Sequence, residues 1–132
     1  MSNTEIVEVL RAWLAALESG DVERLLSLQS DDATWILPGS AKLPWAGTWK
    51  GSAEARQCLD KLYGALEVEK QEPEEFIAEG ARVVVIGNEI GISKPAGRKW
   101  NVQYAWAFTV EDGRVTRWEA FENTEAIAAC YS

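Results

Sequence analysis

Residues 82–122 read RVVVIGNEIGISKPAGRKWNVQYAWAFTVEDGRVTRWEAFE, three runs rich in β-branched and aromatic residues that are separated by two turns. The first turn carries Pro95 and Gly97, and the second carries Asp112 and Gly113. Runs of this composition joined by such turns are typical of successive β-hairpins. The predicted antiparallel strands cover residues 82–92, 99–110 and 114–122.

The segment before these hairpins, residues 66–79, predicts one more strand. It holds six Glu and one Lys between Glu67 and Glu79, and it contains Pro73. Charged side chains and proline are the means by which exposed edge strands avoid pairing with other chains. We therefore expect this segment to form an edge of the sheet.

The N-terminal part of the chain has helical rather than alternating periodicity. Residues 5–18 place one apolar stripe along a helix, formed by Ile6, Leu10, Trp13, Leu14 and Leu17. Ser2 and Glu5 have the spacing of a capping box, and Gly20 suits the helix exit.

Shorter elements complete the predicted order. They are a second helix capped by Asp21, a strand over residues 33–37, a third helix starting at Ser52 and a final helix over residues 124–130. A Pro- and Gly-rich loop carrying Trp45 and Trp49 precedes the third helix, and we expect it to form a lid or a dimer contact. Three helices ahead of a hairpin sheet must cover one of its faces, which predicts an α+β fold in a single domain over residues 1–132.

Composition excludes several classes of function. The chain has 132 residues, a net charge of −8, seven Trp and no His. Without His, no Ser-His-Asp, Cys-His or His-ligated metal mechanism is available, and no metal site is predicted. The acidic balance argues against nucleic-acid binding.

The two cysteines match no redox or metal motif and predict reduced thiols. The sequence lacks a signal peptide and an apolar run long enough for a membrane span, so a cytoplasmic location is expected.

Several short strings occur in a fixed order along nearly the whole chain. They are Gly20-Asp21-Val22-Glu23, Asp31-Asp32-Ala33-Thr34-Trp35, Trp49-Lys50-Gly51, Glu72-Pro73-Glu74-Glu75-Phe76, Gly97-Arg98, Glu111-Asp112-Gly113-Arg114-Val115 and Arg117-Trp118-Glu119-Ala120-Phe121. The series resembles the SnoaL-like branch of the NTF2-like superfamily, which includes ketosteroid isomerases, polyketide cyclases and limonene-epoxide hydrolase. The resemblance implies a strongly curved, mainly antiparallel sheet that forms a cone-shaped apolar pocket with the N-terminal helices. It also implies a homodimer formed through the outer face of the sheet.

Glu89 is the first candidate site residue. Alternation along the strand places it on one face with two glycines, Gly87 and Gly91. Because glycine inside a strand marks a bend or a close approach, the space of the two missing side chains could admit a ligand beside Glu89. The alternative is a solvent-facing Glu near a strand end. The resemblance favours the pocket, since this position aligns with an acid that commonly projects into it.

The remaining candidates are mostly aromatic. The strand 99–110 has an aromatic face that is either pocket wall or plain core, and the resemblance places Val102, Tyr104 and Trp106 inward. Trp118 and Glu122 share a face of the last strand. We expect Trp13 and Trp35 to complete the chamber.

Differences between this sequence and the catalytic residues of its relatives limit which of their activities it can have. Ketosteroid isomerases keep a Tyr near the position of Trp13 and a general-base Asp near that of Leu37. In the epoxide hydrolases an Arg stands at the position of Gly87 and a second acid at that of Ala120. Trp106 stands where relatives often carry His or Asp, and Trp cannot transfer a proton in catalysis. The sequence therefore predicts neither a ketosteroid isomerase nor that hydrolase mechanism.

Glu89 is then one acid in an apolar chamber. Burial should raise its pKa and suit it to general acid or base catalysis, and Tyr104 could donate a hydrogen bond to a carbonyl oxygen. The predicted function is cofactor-free isomerisation or cyclisation of a small hydrophobic carbonyl compound. One alternative is non-catalytic binding of a hydrophobic ligand in a Trp-lined pocket, with Glu89 only orienting it. In a third interpretation most of the tryptophans are core or interface residues.

Overall fold

Four helices and six strands follow one another in the structure, a computed structural model that describes residues 1–132. The helices are α1 (Asn3–Ser19), α2 (Val22–Ser27), α3 (Gly51–Ala65) and α4 (Thr124–Ala129). The strands are β1 (Gln29–Leu37), β2 (Gly47–Lys50), β3 (Leu66–Glu79), β4 (Arg82–Ser93), β5 (Lys99–Glu111) and β6 (Arg114–Glu122). The predicted α+β class and the three C-terminal hairpin strands are confirmed.

All six strands form one sheet in the order β2-β1-β6-β5-β4-β3. The long strands from β3 to β6 pair antiparallel with their neighbours, and β3 is an edge strand as predicted. β1 pairs parallel with β6, so the sheet is mixed. Sequence reasoning missed β2, because this four-residue strand lies in a segment whose prolines and glycines indicate a loop.

Helix ends follow the local chemistry of their sequences. The Ser2 hydroxyl accepts a hydrogen bond from the Glu5 amide, and the Glu5 carboxylate accepts one from the Ser2 amide, which is the predicted capping box. Gly20 ends α1 in the left-handed conformation, and Asp21 caps α2. Ser52 does not cap α3, because the helix already begins at Gly51 and Lys50 occupies the capping position.

The core lies between the sheet and the helices. Its largest part is an aromatic cluster in which Trp118 contacts Trp13, Trp35 and Phe108, with ring centroids 5.1, 5.3 and 6.4 Å away. The Trp13 and Trp35 indole N–H groups both donate to Gln29 Oε1 at 3.1 Å. Pairing both donors with one buried acceptor avoids the penalty of leaving them unsatisfied in the core.

Two other features of the chain bear on the sequence predictions. Cys58 and Cys130 are free and buried, as the reduced-thiol prediction requires. None of the helices combines the length and the apolar character needed to cross a membrane.

Candidate functional site

A small cavity lies between the concave face of the sheet and the helices. Its volume is about 40 Å³, and 10 of its 13 lining residues are hydrophobic. A space of about 10–15 Å³ suffices for one water molecule, so the cavity has room for only a few. The polar side chains that line it are those of Gln71, Glu89 and Glu122, and the aromatic ones are those of Tyr63, Trp45, Trp106 and Trp118. The wall includes Leu17 from α1, Leu62 from α3 and Ile127 from α4.

Glu89 lies on the inward face of β4, the position that the resemblance favoured over a solvent-facing one. Its side chain is buried, and Oε1 accepts a hydrogen bond from Trp100 Nε1 at 3.0 Å. Burial raises the pKa of Glu89, because the charged carboxylate loses hydration, while the Trp100 hydrogen bond lowers it. The first effect is the larger, so the carboxyl group holds its proton to a higher pH than an exposed Glu does.

The two glycines beside Glu89 make room for aromatic rings rather than for a ligand, which corrects the sequence expectation. A Cβ at Gly91 would lie within 3.0 Å of the Trp100 ring, and a Cβ at Gly87 would lie within 3.0 Å of the Tyr104 ring. The register explains both contacts, since Gly91 pairs with Trp100 and Gly87 pairs with Tyr104. Glu89 therefore lies between the two glycines that these rings cover, Gly91 beneath Trp100 and Gly87 beneath Tyr104.

Glu122 is a second acid that faces the same cavity, from the end of β6. Burial and the nearby negative charge of Glu89 together raise its pKa to about 8, and the indole of Trp106, which lies near the carboxyl group without a hydrogen bond of good geometry, opposes the rise. Because each negative charge disfavours the other, the two carboxyl groups favour a state that retains a proton at neutral pH. The sequence left open whether Glu122 reaches the pocket, and the structure places it in the wall.

Several buried donors around this cavity have no protein partner. Gln71 Nε2, Trp106 Nε1 and Trp118 Nε1 belong to lining residues, and Tyr104 Oη lies just behind them. Buried polar groups in folded proteins are nearly always hydrogen-bonded. An apolar wall with unpaired donors and two acids is suited to a molecule that supplies oxygen acceptors on a hydrophobic body.

The structure brings only part of the predicted site together. Glu89, Trp106, Trp118 and Glu122 line the cavity. Trp13 and Trp35 have no exposed surface and are core residues rather than cavity residues. Their rings pack against Trp118, and their indole N–H groups donate to Gln29.

Val102 and Tyr104 are buried on the inward face of β5 but lie outside the cavity lining. The Tyr104 ring packs on Trp106 with centroids 4.3 Å apart, and its hydroxyl lies over Gly87. Burial and the negative charges of Glu89 and Glu122 raise the pKa of Tyr104, so the hydroxyl stays protonated.

Sequence reasoning missed three contributors. Trp100 was assigned only to the aromatic face of its strand, although it holds Glu89. Trp45 was expected in a lid or a dimer contact, yet it is 7% exposed and lines the cavity. Gln71 lies in a strand whose charges indicate exposure, and the one available signal is that it is the only uncharged polar residue of that strand.

Comparisons with known proteins agree with this architecture. The profile of the SnoaL-like domain family matches residues 10–118. The structure is similar to that of an NTF2-like protein of Burkholderia xenovorans LB400, with 34% sequence identity and a TM-score of 0.90 over 100% of this chain and 99% of that one. An NTF2-like protein of unknown function from Burkholderia pseudomallei has a TM-score of 0.90 at 23% identity, over 100% and 99% of the two chains.

TerC, co-crystallised with polyporic acid, has a TM-score of 0.84 and 27% identity over 96% of this chain and 98% of that one. No functionally curated protein matches the sequence. A mixed sheet curved around an apolar cavity with buried acids defines an α+β small-molecule pocket protein. The chain belongs to the SnoaL-like domain family of the NTF2-like superfamily.

Proposed function

We propose that this protein catalyses cofactor-free acid–base chemistry, isomerisation or cyclisation, on a small hydrophobic carbonyl compound. The observation that carries the proposal is the pair of acids in one apolar cavity, the buried Glu89 and the half-buried Glu122. Two acids whose environments keep a proton between them at neutral pH can supply a base and an acid at the same time.

The two carboxyl groups have different roles in this proposal. Glu89, whose carboxylate form is stabilised by the Trp100 N–H, accepts a proton from the carbon next to the carbonyl group. Glu122, protonated because its pKa is raised to about 8, donates to the carbonyl oxygen and so stabilises the enol. In an isomerisation the enol is conjugated with a C=C bond. Glu89 delivers its proton to the far carbon of that bond while Glu122 takes back the proton of the enol oxygen, which restores the carbonyl group and both acids. In a cyclisation the enol carbon instead bonds to a second carbonyl carbon, Glu89 protonates the oxygen of that second carbonyl group, and Glu122 again takes back the enol proton.

We assign Tyr104 a packing role rather than the predicted catalytic one. Its hydroxyl lies over Gly87 and its ring supports Trp106 from behind the wall. Glu122 replaces it as the group that donates to the carbonyl oxygen, since Glu122 lines the cavity directly.

The size of the cavity sets a condition on this function. A substrate ring needs more than about 40 Å³, so lining side chains must move when it binds. The half-buried residues Leu62, Tyr63 and Val68 mark the side nearest to solvent. TerC, co-crystallised with polyporic acid, supports the expectation that this fold accepts an organic molecule.

Non-catalytic binding of a hydrophobic ligand is the second candidate. It is favoured by the largely hydrophobic lining and by the Trp106 and Trp118 rings that face the cavity. Trp side chains offer large rigid surfaces that hold a flat apolar molecule without any chemistry. In that case the two acids only orient the ligand.

Substitution of the acids separates the two candidates. Glu89→Gln and Glu122→Gln keep the shape of each side chain but remove its ability to exchange a proton. For an enzyme we expect a loss of turnover of about 10²- to 10⁴-fold with little change in ligand affinity. Glu119→Gln, on the same strand as Glu122 but paired with Arg117, is the matched control. Ligands that quench Trp fluorescence without turnover by the wild-type chain would support the binding protein instead.

We also propose that the partner of this chain is a second copy of itself, docked through the outer sheet face. Ile86, Ala105 and Phe121 stand side by side across β4, β5 and β6, and Phe121 is 51% exposed. Near the sheet edge, Ile77 is 54% exposed and pairs with Val84. An apolar sheet face of this kind is typical of a protein interface.

A further inference from the structure

Gln71 is a buried polar residue in β3, a strand that also contains six Glu and one Lys. Its neighbours Lys70 and Glu72 are exposed and bridge each other at 2.6 Å across the outside of the strand. Gln71 itself is only 7% exposed. A carboxamide is strongly hydrated in water, so its burial requires hydrogen-bond partners or destabilises the fold.

An irregularity of β3 turns this side chain inward. The register shifts between Val68 and Lys70, just before Gln71. The shift reverses the face to which the following residues point, because side chains alternate along a strand. Without it, Lys70 rather than Gln71 would share a face with Val68. The bulge therefore directs one uncharged polar side chain into the interior.

The surroundings of Gln71 are those of the candidate site. It pairs with Glu89 in the β3–β4 register and lines the cavity with Glu89 and Glu122. Its Nε2 atom lies near the Tyr104 hydroxyl, but neither group has a hydrogen bond of good geometry in the protein. Gln71 also lines a separate surface cleft of about 130 Å³, beside Arg11 and Glu18 of α1, so its side chain separates the cavity from that cleft.

We propose that Gln71 is a ligand-binding residue whose side-chain N–H donates to an oxygen atom of the molecule in the cavity. This inference rests on the proposed function, which supplies a small hydrophobic ligand. A carboxamide has no proton to lose near neutral pH, so it remains a donor whatever the protonation state of the two acids.

The class of ligand follows from the same groups. An unpaired donor beside two acids requires an oxygen acceptor, which excludes a plain hydrocarbon as the preferred ligand. No Lys or Arg lines the cavity, so a carboxylate would meet Glu89 and Glu122 without a compensating charge. The site therefore selects a neutral molecule with a carbonyl oxygen over both its hydrocarbon and its anionic counterpart.

Three one-ring compounds of similar size test the selection, namely acetophenone, α-methylstyrene and benzoate. Affinities are measured by isothermal titration for the wild-type chain, for Gln71→Met and for Gln103→Met. Met matches the size of Gln and removes the donor. Gln103 lies exposed on the outer side of β5 and controls for the same chemical change away from the cavity.

We expect the wild-type chain to bind acetophenone more tightly than α-methylstyrene and benzoate. Gln71→Met should weaken acetophenone about 2- to 10-fold, the equivalent of one neutral hydrogen bond, and leave α-methylstyrene unchanged or tighter. Gln103→Met should bind like the wild-type chain. Equal losses for both neutral compounds would overturn the proposal, because Gln71 would then only shape the cavity.

Wild-type binding separates this inference from the proposed function. If none of the three compounds binds, the hydrophobic-ligand function fails and the Gln71 role fails with it. If acetophenone and α-methylstyrene bind equally well, the function stands and the Gln71 role is wrong. A measurement on the unsubstituted chain guards against misfolding of Gln71→Met. The ¹⁵N-labelled Gln71 side-chain amide should shift with acetophenone and not with α-methylstyrene, and equal shifts would again contradict the role.

Discussion

Trp100 donates its indole N–H to Glu89 at 3.0 Å, and it can do so because its ring lies on Gly91. Any side chain at residue 91 would occupy the space of the ring. Gly91, two residues after Glu89 in β4, therefore leaves the space for the ring whose N–H group donates to Glu89. Backbone strain plays no part, because Gly91 does not have a positive φ.

Gly91→Ala should displace Trp100 and weaken this hydrogen bond. Forcing a methyl group into a filled space typically lowers the free energy of unfolding by about 1–3 kcal/mol. Chemical denaturation measures the loss. Gly64→Ala is the control, since nothing lies within 4 Å of a Cβ there and Ala favours the helix by about 0.5–1 kcal/mol. Equal stability of the two variants would show that the ring does not depend on residue 91.

Trp100→Phe should raise the pKa of Glu89 further, because the hydrogen bond that now lowers it is removed. A carboxyl-detected NMR titration follows the change. Trp49→Phe removes an indole hydrogen bond of similar length, 2.9 Å to the Trp45 carbonyl oxygen, and should leave Glu89 unaffected. A Glu89 pKa that stays the same or falls in Trp100→Phe would contradict the assigned role of this indole.

Glu122 should make the stability of the protein depend on pH. Its pKa is about 8 in the folded protein against an ordinary value of 4.5, so over that interval the folded state holds a proton that the unfolded state has released. The free energy of unfolding contributed by Glu122 is therefore complete below the ordinary value and declines as the pH rises through this window.

Glu122→Gln stays neutral at every pH, so its free energy of unfolding should fall less than that of the wild-type chain between about pH 5 and pH 9. Urea denaturation at a series of pH values gives the comparison. Glu119→Gln should follow the wild-type curve. Parallel curves for Glu122→Gln and the wild-type chain would mean that Glu122 does not titrate as the structure indicates.

Phe121→Glu should dissociate the proposed dimer, because a charge would be buried against the apolar face of the second copy. We expect dimer affinity to fall by at least about tenfold, as sedimentation velocity over a concentration series can show. Ala15→Glu places the same new charge on the exposed side of α1 and should leave association unchanged. A wild-type chain that remains monomeric throughout the series would contradict the proposed dimer.

The tryptophans show how far sequence patterns reach. Alternation correctly grouped the residues that share a face of a strand, such as Trp118 and Glu122, because the pleat determines on which side each residue lies. The inward direction of Trp106 came from the family resemblance. Alternation could not separate Trp118, which lines the cavity, from Trp13 and Trp35, which pack beneath it. That separation depends on where α1 crosses the curved sheet, and no local pattern encodes the crossing.

Gln71 shows where a prediction from alternation fails. Its strand was correctly predicted at the sheet edge from its charges, yet one buried side chain within it serves the cavity. The reason is the register shift between Val68 and Lys70, which depends on how β3 bends along β4. Alternation along a strand predicts the face on which a side chain lies only where the strand register is continuous.

By itself the sequence determined the order of the main helices and strands, the caps of α1 and α2, and the alternation that puts Glu89 on one face of β4 with Gly87 and Gly91. These features depend on residues close together in the chain, so local hydrogen bonding and periodicity express them directly. Only the tertiary structure decided that Trp100 fills the space over Gly91, that Glu122 joins Glu89, and that Gln71 reaches the cavity. Each of these depends on the pairing of distant strands in a curved sheet, which the packing of the whole chain determines.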